Sequence, residues 1–103
     1  MKRFQIKIEL EALEDIQDIT NWYNEALPGL GKRFQNAVIR QINSLKKDPQ
    51  MYAIRYNEIR CMIVKKFPYM VHFYIDSDNN TVEVLAVISF ARNPEIWKDK
   101  TAR

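Results

Sequence analysis

Four side chains in the C-terminal half of the chain have the types needed to cut RNA without a metal ion: Arg60, Lys66, His72 and Arg92. Such a reaction activates a ribose 2′-hydroxyl, stabilises negative charge on the phosphorane and protonates the leaving oxygen. Arginine and lysine suit the second task, and histidine suits the proton transfers. The sequence therefore predicts a candidate catalytic set of these four residues.

Three of the four residues also have structural readings, which the sequence leaves open. Lys66 and its neighbour Lys65 flank a predicted strand, where lysines act as a block against edge pairing. His72 lies between two apolar residues and can be a half-buried strand histidine whose ring bonds a neighbour. Arg92 follows a strand end, where a purely structural arginine has less to do, so its functional reading is favoured.

Other site chemistries find little support. One histidine and one cysteine cannot complete a typical zinc site, and residues 28–31 lack the lysine and the preceding strand of a phosphate-binding loop. A Cys61 nucleophile would need His72 beside it on a neighbouring strand, whereas a cysteine inside an apolar strand is usually a small buried hydrophobe. The sequence predicts no cofactor and no metal.

A length of 103 residues predicts one domain, residues 1–103. The apolar runs are too short to span a membrane, the N-terminus does not read as a signal peptide, and a single cysteine fits a reducing compartment. We therefore expect a cytoplasmic protein with no membrane partner. The net charge of +3 permits a nucleic-acid or acidic protein partner, or simply a solvated surface.

Hydrophobic periods predict one strand and two helices in the N-terminal half. Residues 3–10 alternate, which is typical of a half-buried strand. A three- to four-residue period begins at Glu11 and ends at Pro28-Gly29, and a second begins at Leu30 and ends at Asp48-Pro49. The predicted stripe of the first helix is Leu13, Ile16, Ile19 or Thr20, Tyr23 and Leu27. The outer face of the second carries Lys32, Arg33, Arg40, Lys46 and Lys47.

Three strands are predicted next, at residues 59–67, 69–75 and 81–88, after a segment at 50–58 that is either irregular or holds a short strand. The tight connections predict an antiparallel meander. On the central strand one face, Tyr69, Val71, Phe73 and Ile75, is the expected core face. Residues 92–97 are expected to form a helical turn and 98–103 to fray. The fold class is therefore α+β, ordered β-α-α-β-β-β, with a helical hairpin packed on the meander sheet and an N-terminal strand.

These segments resemble the RelE/ParE superfamily of bacterial type II toxins over residues 10–97. The resemblance rests on WYNEALPGLGKRF at 22–34, VKKFPYMVHFYID at 64–76 and VLAV with ARNPEIW at 84–97. It implies a small toxin neutralised by a cognate antitoxin, with which it forms a hetero-oligomer. RelE-like members cut messenger RNA on the ribosome, and ParE-like members poison DNA gyrase.

The resemblance favours the ParE-like branch. RelE-like nucleases carry a catalytic arginine where this chain has Met70, and a C-terminal tyrosine where it has Trp97. Their other arginine matches Arg92, and their strand lysines match Arg60 and its neighbours loosely. The ParE branch also differs, because a histidine often found near the end of the last strand is Ser89 here. Three hypotheses remain: a ParE-like toxin, a ribosome-dependent ribonuclease with a rearranged site, and a non-toxic member.

Overall fold

Two helices follow the first strand, as the change of hydrophobic period predicts. The computed structural model describes residues 3–91 and 94–101. Strand β1 spans Gln5–Ile8, helix α1 spans Leu10–Ala26 and helix α2 spans Leu30–Ser44. Gly29, between the helices, takes the left-handed backbone that glycine adopts without strain, at φ +93°. The predicted helical hairpin is therefore confirmed.

Five strands form one sheet in the order β1-β5-β4-β3-β2. After a short 3-10 turn at Pro49–Met51, strand β2 spans Ile54–Tyr56, β3 spans Ile59–Ile63, β4 spans Tyr69–Asp76 and β5 spans Thr81–Ser89. Strands β3, β4 and β5 form the predicted antiparallel meander, whereas β1 pairs with β5 in parallel. The predicted α+β fold is confirmed, and the segment 50–58 holds the short strand β2 at the edge of the sheet.

The helical hairpin packs on one face of this sheet. Phe34 of α2 and Phe73 of β4 are fully buried in the core that joins the two layers. The expected core face of β4 is confirmed, because Val71 is also buried there and Tyr69 and Ile75 pack against it. Alternation places His72 on the opposite face of the sheet.

Helix α1 buries Ala12, Ile16 and Thr20, one residue per turn. The Thr20 hydroxyl donates to the Ile16 carbonyl at 2.7 Å, which satisfies this buried group within the helix. Leu13 and Leu27 are 46% and 57% exposed, so their predicted place in the buried stripe is wrong. Leu13 is rotated about 100° from Ala12 around the helix axis, and Leu27 lies beyond the helix end.

A third helix, α3 (Pro94–Lys100), covers part of the opposite face of the sheet. Trp97 is buried there with Met70, Ala86 and Ile88 in a second apolar cluster. The expected fraying is wrong for residues 98–101, since α3 continues to Lys100 and Thr101 is buried. Within the described ranges, none of the helices has the length and apolar character needed to cross a bilayer.

Asp15 ties α1 to the strand and the helix on either side of it. Its Oδ1 accepts a hydrogen bond from Lys100 Nζ at 2.7 Å, and its Oδ2 accepts one from the Val87 backbone N–H at 2.9 Å. Both side chains of the ion pair are largely shielded from water. The pair therefore anchors the end of α3 on the body of the fold.

We expect Asp15→Asn to reduce the free energy of unfolding by about 2 kcal/mol, because a hydrogen bond to a charged group is lost and Lys100 is left without its counter-ion. Urea denaturation followed by circular dichroism measures this change. Asp18→Asn, on an exposed position one turn further along α1, is the matched control and should change stability by under about 0.5 kcal/mol. Equal stability of the two variants would contradict the anchoring role of Asp15.

Candidate functional site

Arg60 lies on the helix-facing side of β3, where it pairs with Phe73 of β4. Its guanidinium Nη1 donates to the Tyr52 carbonyl at 2.6 Å and to the Gln50 carbonyl at 3.2 Å. These bonds attach the 3-10 turn and the residue that follows it to the sheet. Arg60 therefore already has a structural task in addition to its predicted catalytic one.

Lys66 lies in the turn between β3 and β4, fully on the surface. Its backbone is left-handed, with φ +71°, and its side chain is exposed. Because β3 ends at Ile63, Lys66 no longer follows the alternation of the strand. The exposed position leaves it free to meet a large partner, although it lies away from the histidine.

His72 is fully buried on the other face of the sheet, the face that α3 covers. Its Nδ1 lies 2.7 Å from the Tyr56 hydroxyl and 3.4 Å from Cys61 Sγ. Its ring meets the Trp97 ring edge-on, with 4.9 Å between ring centroids. Cys61 is the cross-strand partner of His72, so the expectation that the two lie on neighbouring strands is confirmed.

A chain of hydrogen bonds runs from His72 into α3. The Tyr56 hydroxyl lies 3.2 Å from Thr101 Oγ1, which donates to the Trp97 carbonyl at 2.6 Å. Every group in this chain has a donor or acceptor to match its neighbour if the neutral His72 ring carries its proton on Nδ1. The Nδ1–H then donates to the Tyr56 oxygen, and the Tyr56 hydroxyl donates to Thr101. The buried polar groups of this face are thus joined in series, and they hold α3 in place.

Burial sets the ionisation of this cluster. Burial and, to a smaller extent, the nearby charge of Arg55 together lower the pKa of His72 to about 4. Burial also raises the pKa of the Cys61 thiol to about 11 and that of Tyr56 above its ordinary value. At neutral pH all three groups are uncharged, and Cys61 is a thiol rather than a nucleophilic thiolate.

The structure does not bring together the three predicted catalytic residues that it describes. Arg60 faces the helices, His72 lies buried on the opposite face, and Lys66 lies in a turn. Arg92 falls outside the described residues. Within the described part of the chain, no group of three or more His, Cys, Asp and Glu side chains could hold a metal ion.

Two members of the His72 cluster escaped the sequence analysis. Thr101 lies in the tail that the sequence predicts to fray, and Tyr56 lies in the segment 50–58, where the sequence leaves irregular structure and a short strand open. Arg55, whose guanidinium lies 6.0 Å from the centre of the Trp97 ring, belongs to the same segment. Strand β2 has only three residues, too few for an alternating pattern that shows on which face Arg55 and Tyr56 lie.

The two sequence positions that depart from the RelE-like pattern meet in space. Met70 and Trp97 belong to the same buried apolar cluster beside His72. Trp97 Nε1 is buried and has no hydrogen-bond partner among the described residues. Beside His72, this face of the sheet is therefore packed with apolar side chains and covered by α3.

Comparisons with known proteins agree with the fold. The family model for the ParE toxin of the type II toxin–antitoxin system parDE matches residues 6–94. A search of curated proteins gives no match.

Among solved structures, the chromosomal ParDE system from P. aeruginosa is 15% identical with a TM-score of 0.75, covering 84% of this chain and 96% of the other. A mutant of the E. coli toxin RelE in the free state is 14% identical with a TM-score of 0.70, covering 97% and 95%. The toxin–antitoxin complex RelBE2 from Mycobacterium tuberculosis is 18% identical with a TM-score of 0.62, covering 84% and 98%. At these identities the structures bear on the fold, whereas the family match carries the assignment. The chain belongs to the RelE/ParE superfamily of toxins of type II toxin–antitoxin systems.

Proposed function

We propose that the chain is a ParE-like toxin that acts by binding a protein target, DNA gyrase, and is held inactive by a cognate antitoxin. The observation that carries this proposal is the packing of Met70 and Trp97 over His72. In this chain, the apolar side chains of Met70 and Trp97 occupy the positions at which RelE-like nucleases carry an arginine and a tyrosine. A metal-free nuclease needs charge-stabilising and proton-transferring groups that reach the phosphate.

The state of His72 supports the same proposal. A general acid or base works best with a pKa near the working pH and must reach its substrate. His72 has a pKa of about 4 and no exposed surface. Arg60, the other described member of the set on the sheet, is occupied by two backbone carbonyls.

The family match supports the ParE-like assignment in a second way, because the matched model is that of the ParE toxin. The P. aeruginosa structure is described as a ParDE system and the M. tuberculosis structure as a toxin–antitoxin complex. By analogy, the chain pairs with an antitoxin in a hetero-oligomer. Its place of action, the cytoplasm, stays a prediction.

Controlled expression in bacteria tests the proposal. We expect growth to stop, a reporter plasmid to lose negative supercoils on a chloroquine gel, and translated messages to stay uncut in primer extension. Co-expression of the short reading frame beside the gene should restore growth if it encodes the antitoxin.

Two other results would overturn the proposal. Messages cut within codons while plasmid supercoiling stays normal would indicate the ribonuclease, and Arg60→Ala and Arg92→Ala should then abolish the cuts. Unchanged growth at high expression of folded protein would indicate a non-toxic member of the superfamily.

A further inference from the structure

Helix α1 is acidic and the α2 segment is basic, although the two helices lie side by side in the hairpin. Residues 10–26 contain five acidic side chains and no lysine or arginine, and residues 30–47 contain five basic side chains and no aspartate or glutamate. The acids are Glu11, Glu14, Asp15, Asp18 and Glu25, and the bases are Lys32, Arg33, Arg40, Lys46 and Lys47. Nothing in the proposed function uses this separation of charge.

The two helices do not neutralise each other where they touch. The contact is made by uncharged groups, because Gly31 lies against the Thr20 carbonyl and donates its N–H to Asn24 Oδ1 at 2.8 Å. Asp15 pairs with Lys100 of α3. The other four acids and the five bases form no ion pair among residues 3–91 and 94–101. Both sets of charges are therefore available to a partner.

Helix stability does not account for this distribution of charge. Negative side chains are favourable near the N-terminus of a helix, and positive ones near its C-terminus. Glu25 lies in the last turn of α1, and Lys32 lies in the first turn of α2. Each of the two charges is thus at the unfavourable end of its helix, which points to a role outside the helix itself.

The exposed charges lie on the outer face of the hairpin, which is the face turned away from the sheet. On α1 they recur at steps of three, four and seven, the spacing of neighbours on one side of a helix. They are Glu11, Glu14, Asp18 and Glu25. On α2, Lys32, Asn36 and Arg40 recur at steps of four and are all exposed. The outer face therefore has an acidic half and a basic half.

Aliphatic side chains lie between the two halves. Leu10, Leu13 and Ile39 are 71%, 46% and 37% exposed. Around α1 both leucines lie within roughly 40° of Asn24, which contacts α2, and around α2 Ile39 lies within roughly 80° of Gly31, which contacts α1. An apolar centre with charges at its rim is the layout of a protein interface.

The antiparallel hairpin determines which residues lie at the same height along it. Gly31 lies beside the turn of α1 from Thr20 to Asn24, and each helix rises about 1.5 Å per residue. Leu13 is therefore level with Ile39, and Glu14 is level with Arg40. A second copy that is turned about an axis parallel to the helices keeps these heights and exchanges the two halves. Each acidic half then faces a basic half.

We propose that the chain forms a symmetric homodimer through the outer faces of its helical hairpins, with the acidic α1 of each copy against the basic α2 of the other. Helices of 17 and 15 residues side by side present roughly 500 Å² per copy, which is at the low end of specific interfaces. We therefore expect a Kd of roughly 1 to 100 μM. The dimer does not depend on the cellular target of the chain.

Sedimentation equilibrium of the full chain tests the proposal. The mass should rise from that of one chain to that of two between about 1 and about 300 μM. Raising the salt concentration from about 0.1 to about 0.5 M should weaken the dimer by at least about threefold, because opposite charges meet across it. A chain that stays monomeric, or a dimer whose Kd does not respond to salt, would overturn the proposal.

Charge reversal locates the interface. An acid-reversed variant, Glu14→Lys with Asp18→Lys, and a base-reversed variant, Lys32→Glu with Arg40→Glu, should each dimerise at least about tenfold more weakly than the original chain. All four positions are exposed, and circular dichroism checks that both variants fold. An equimolar mixture of the two should form a mixed dimer, since acid then faces base at both contacts. A mixture that stays monomeric would overturn the proposal.

The matched control is Lys65→Glu with Lys66→Glu, which has the same net charge as the base-reversed variant but leaves both helices unchanged. It should dimerise alone as the original chain does, and it should bind the acid-reversed variant at least about tenfold more weakly than the base-reversed variant does. Equal binding of the two would indicate attraction between net charges without a defined interface, and the proposal would fail.

Dilution of the unmodified chain followed by NMR needs no variant to fold. The amide signals of Leu13, Glu14, Ile39 and Arg40 should shift as the dimer dissociates, whereas that of His72, on the far side of the sheet, should stay in place. Shifts confined to the sheet or to α3 would place the contact between copies elsewhere and overturn the proposal.

Discussion

Lowering the pH from 7 to 4 is expected to reduce the free energy of unfolding by roughly 3 kcal/mol through His72 alone. The folded state holds the pKa of His72 at about 4, whereas its ordinary value is 6.5. Well above pH 6.5 the residue is neutral in both states, and it contributes no pH dependence. Between pH 6.5 and 4 the unfolded state binds the proton and the folded state does not. Stability therefore falls by up to about 1.4 kcal/mol per pH unit.

Urea denaturation at several pH values, with His72→Gln as the comparison, measures this effect. The other titratable groups are common to both proteins, so the difference between the two stability curves isolates the histidine. At pH 7 we expect the variant to be the less stable protein, because Gln packs less well beneath Trp97. The gap should then close or invert as the pH approaches 4. Parallel curves would contradict the burial of a neutral imidazole.

Gly31→Ala is expected to destabilise the fold by about 3 kcal/mol, because the helices of the hairpin touch at this position. A Cβ on Gly31 would lie 2.2 Å from the Thr20 carbonyl oxygen and 2.6 Å from Asn24 Cγ. The carbonyl belongs to the backbone of α1 and cannot rotate away. The Asn24 side chain also accepts a hydrogen bond from the Gly31 N–H at 2.8 Å, so the two helices would have to separate and lose this bond.

Gly29→Ala, two positions before Gly31 and outside any close contact, is the matched control. No atom lies within 4 Å of a Cβ built on Gly29, although its φ of +93° strains any other residue. We expect a cost of about 1 kcal/mol there, from backbone strain alone. Chemical denaturation of both variants separates steric overlap from strain. If Gly31→Ala proved no more destabilising than Gly29→Ala, the close approach of the helices would be wrong.

The sequence predicted the helical hairpin and the meander sheet, but it did not predict how β1 joins that sheet. The alternation from Phe4 onward marked β1, but a period of two carries no information on which strand it pairs with, and the parallel pairing with β5 was not foreseen. Alternation continued along the predicted strand 59–67 would put Phe67 on the face opposite Met62. Phe67 packs instead in the same core as Met62, because β3 ends at Ile63 and the left-handed backbone of Lys66 changes the direction of the chain.

The residues around His72 could be predicted only in part. The pairing of Cys61 with His72 follows from consecutive antiparallel strands, and the sequence placed them near each other. The cover over them depends on contacts between distant parts of the chain, such as Lys100 with Asp15 and Thr101 with Tyr56. The seven residues of α3 are too few to form a stable helix alone. Local sequence patterns therefore predicted a fraying tail, whereas tertiary packing forms the helix that covers His72.

Purified components give the most direct test of the central claim, that the chain acts on a protein target and not on RNA. The full chain should inhibit ATP-dependent supercoiling by DNA gyrase in a concentration-dependent way and leave ATP-independent relaxation by topoisomerase I unchanged. In a parallel translation reaction with programmed ribosomes, the message should remain intact. Normal supercoiling together with a message cut on the ribosome would contradict the account.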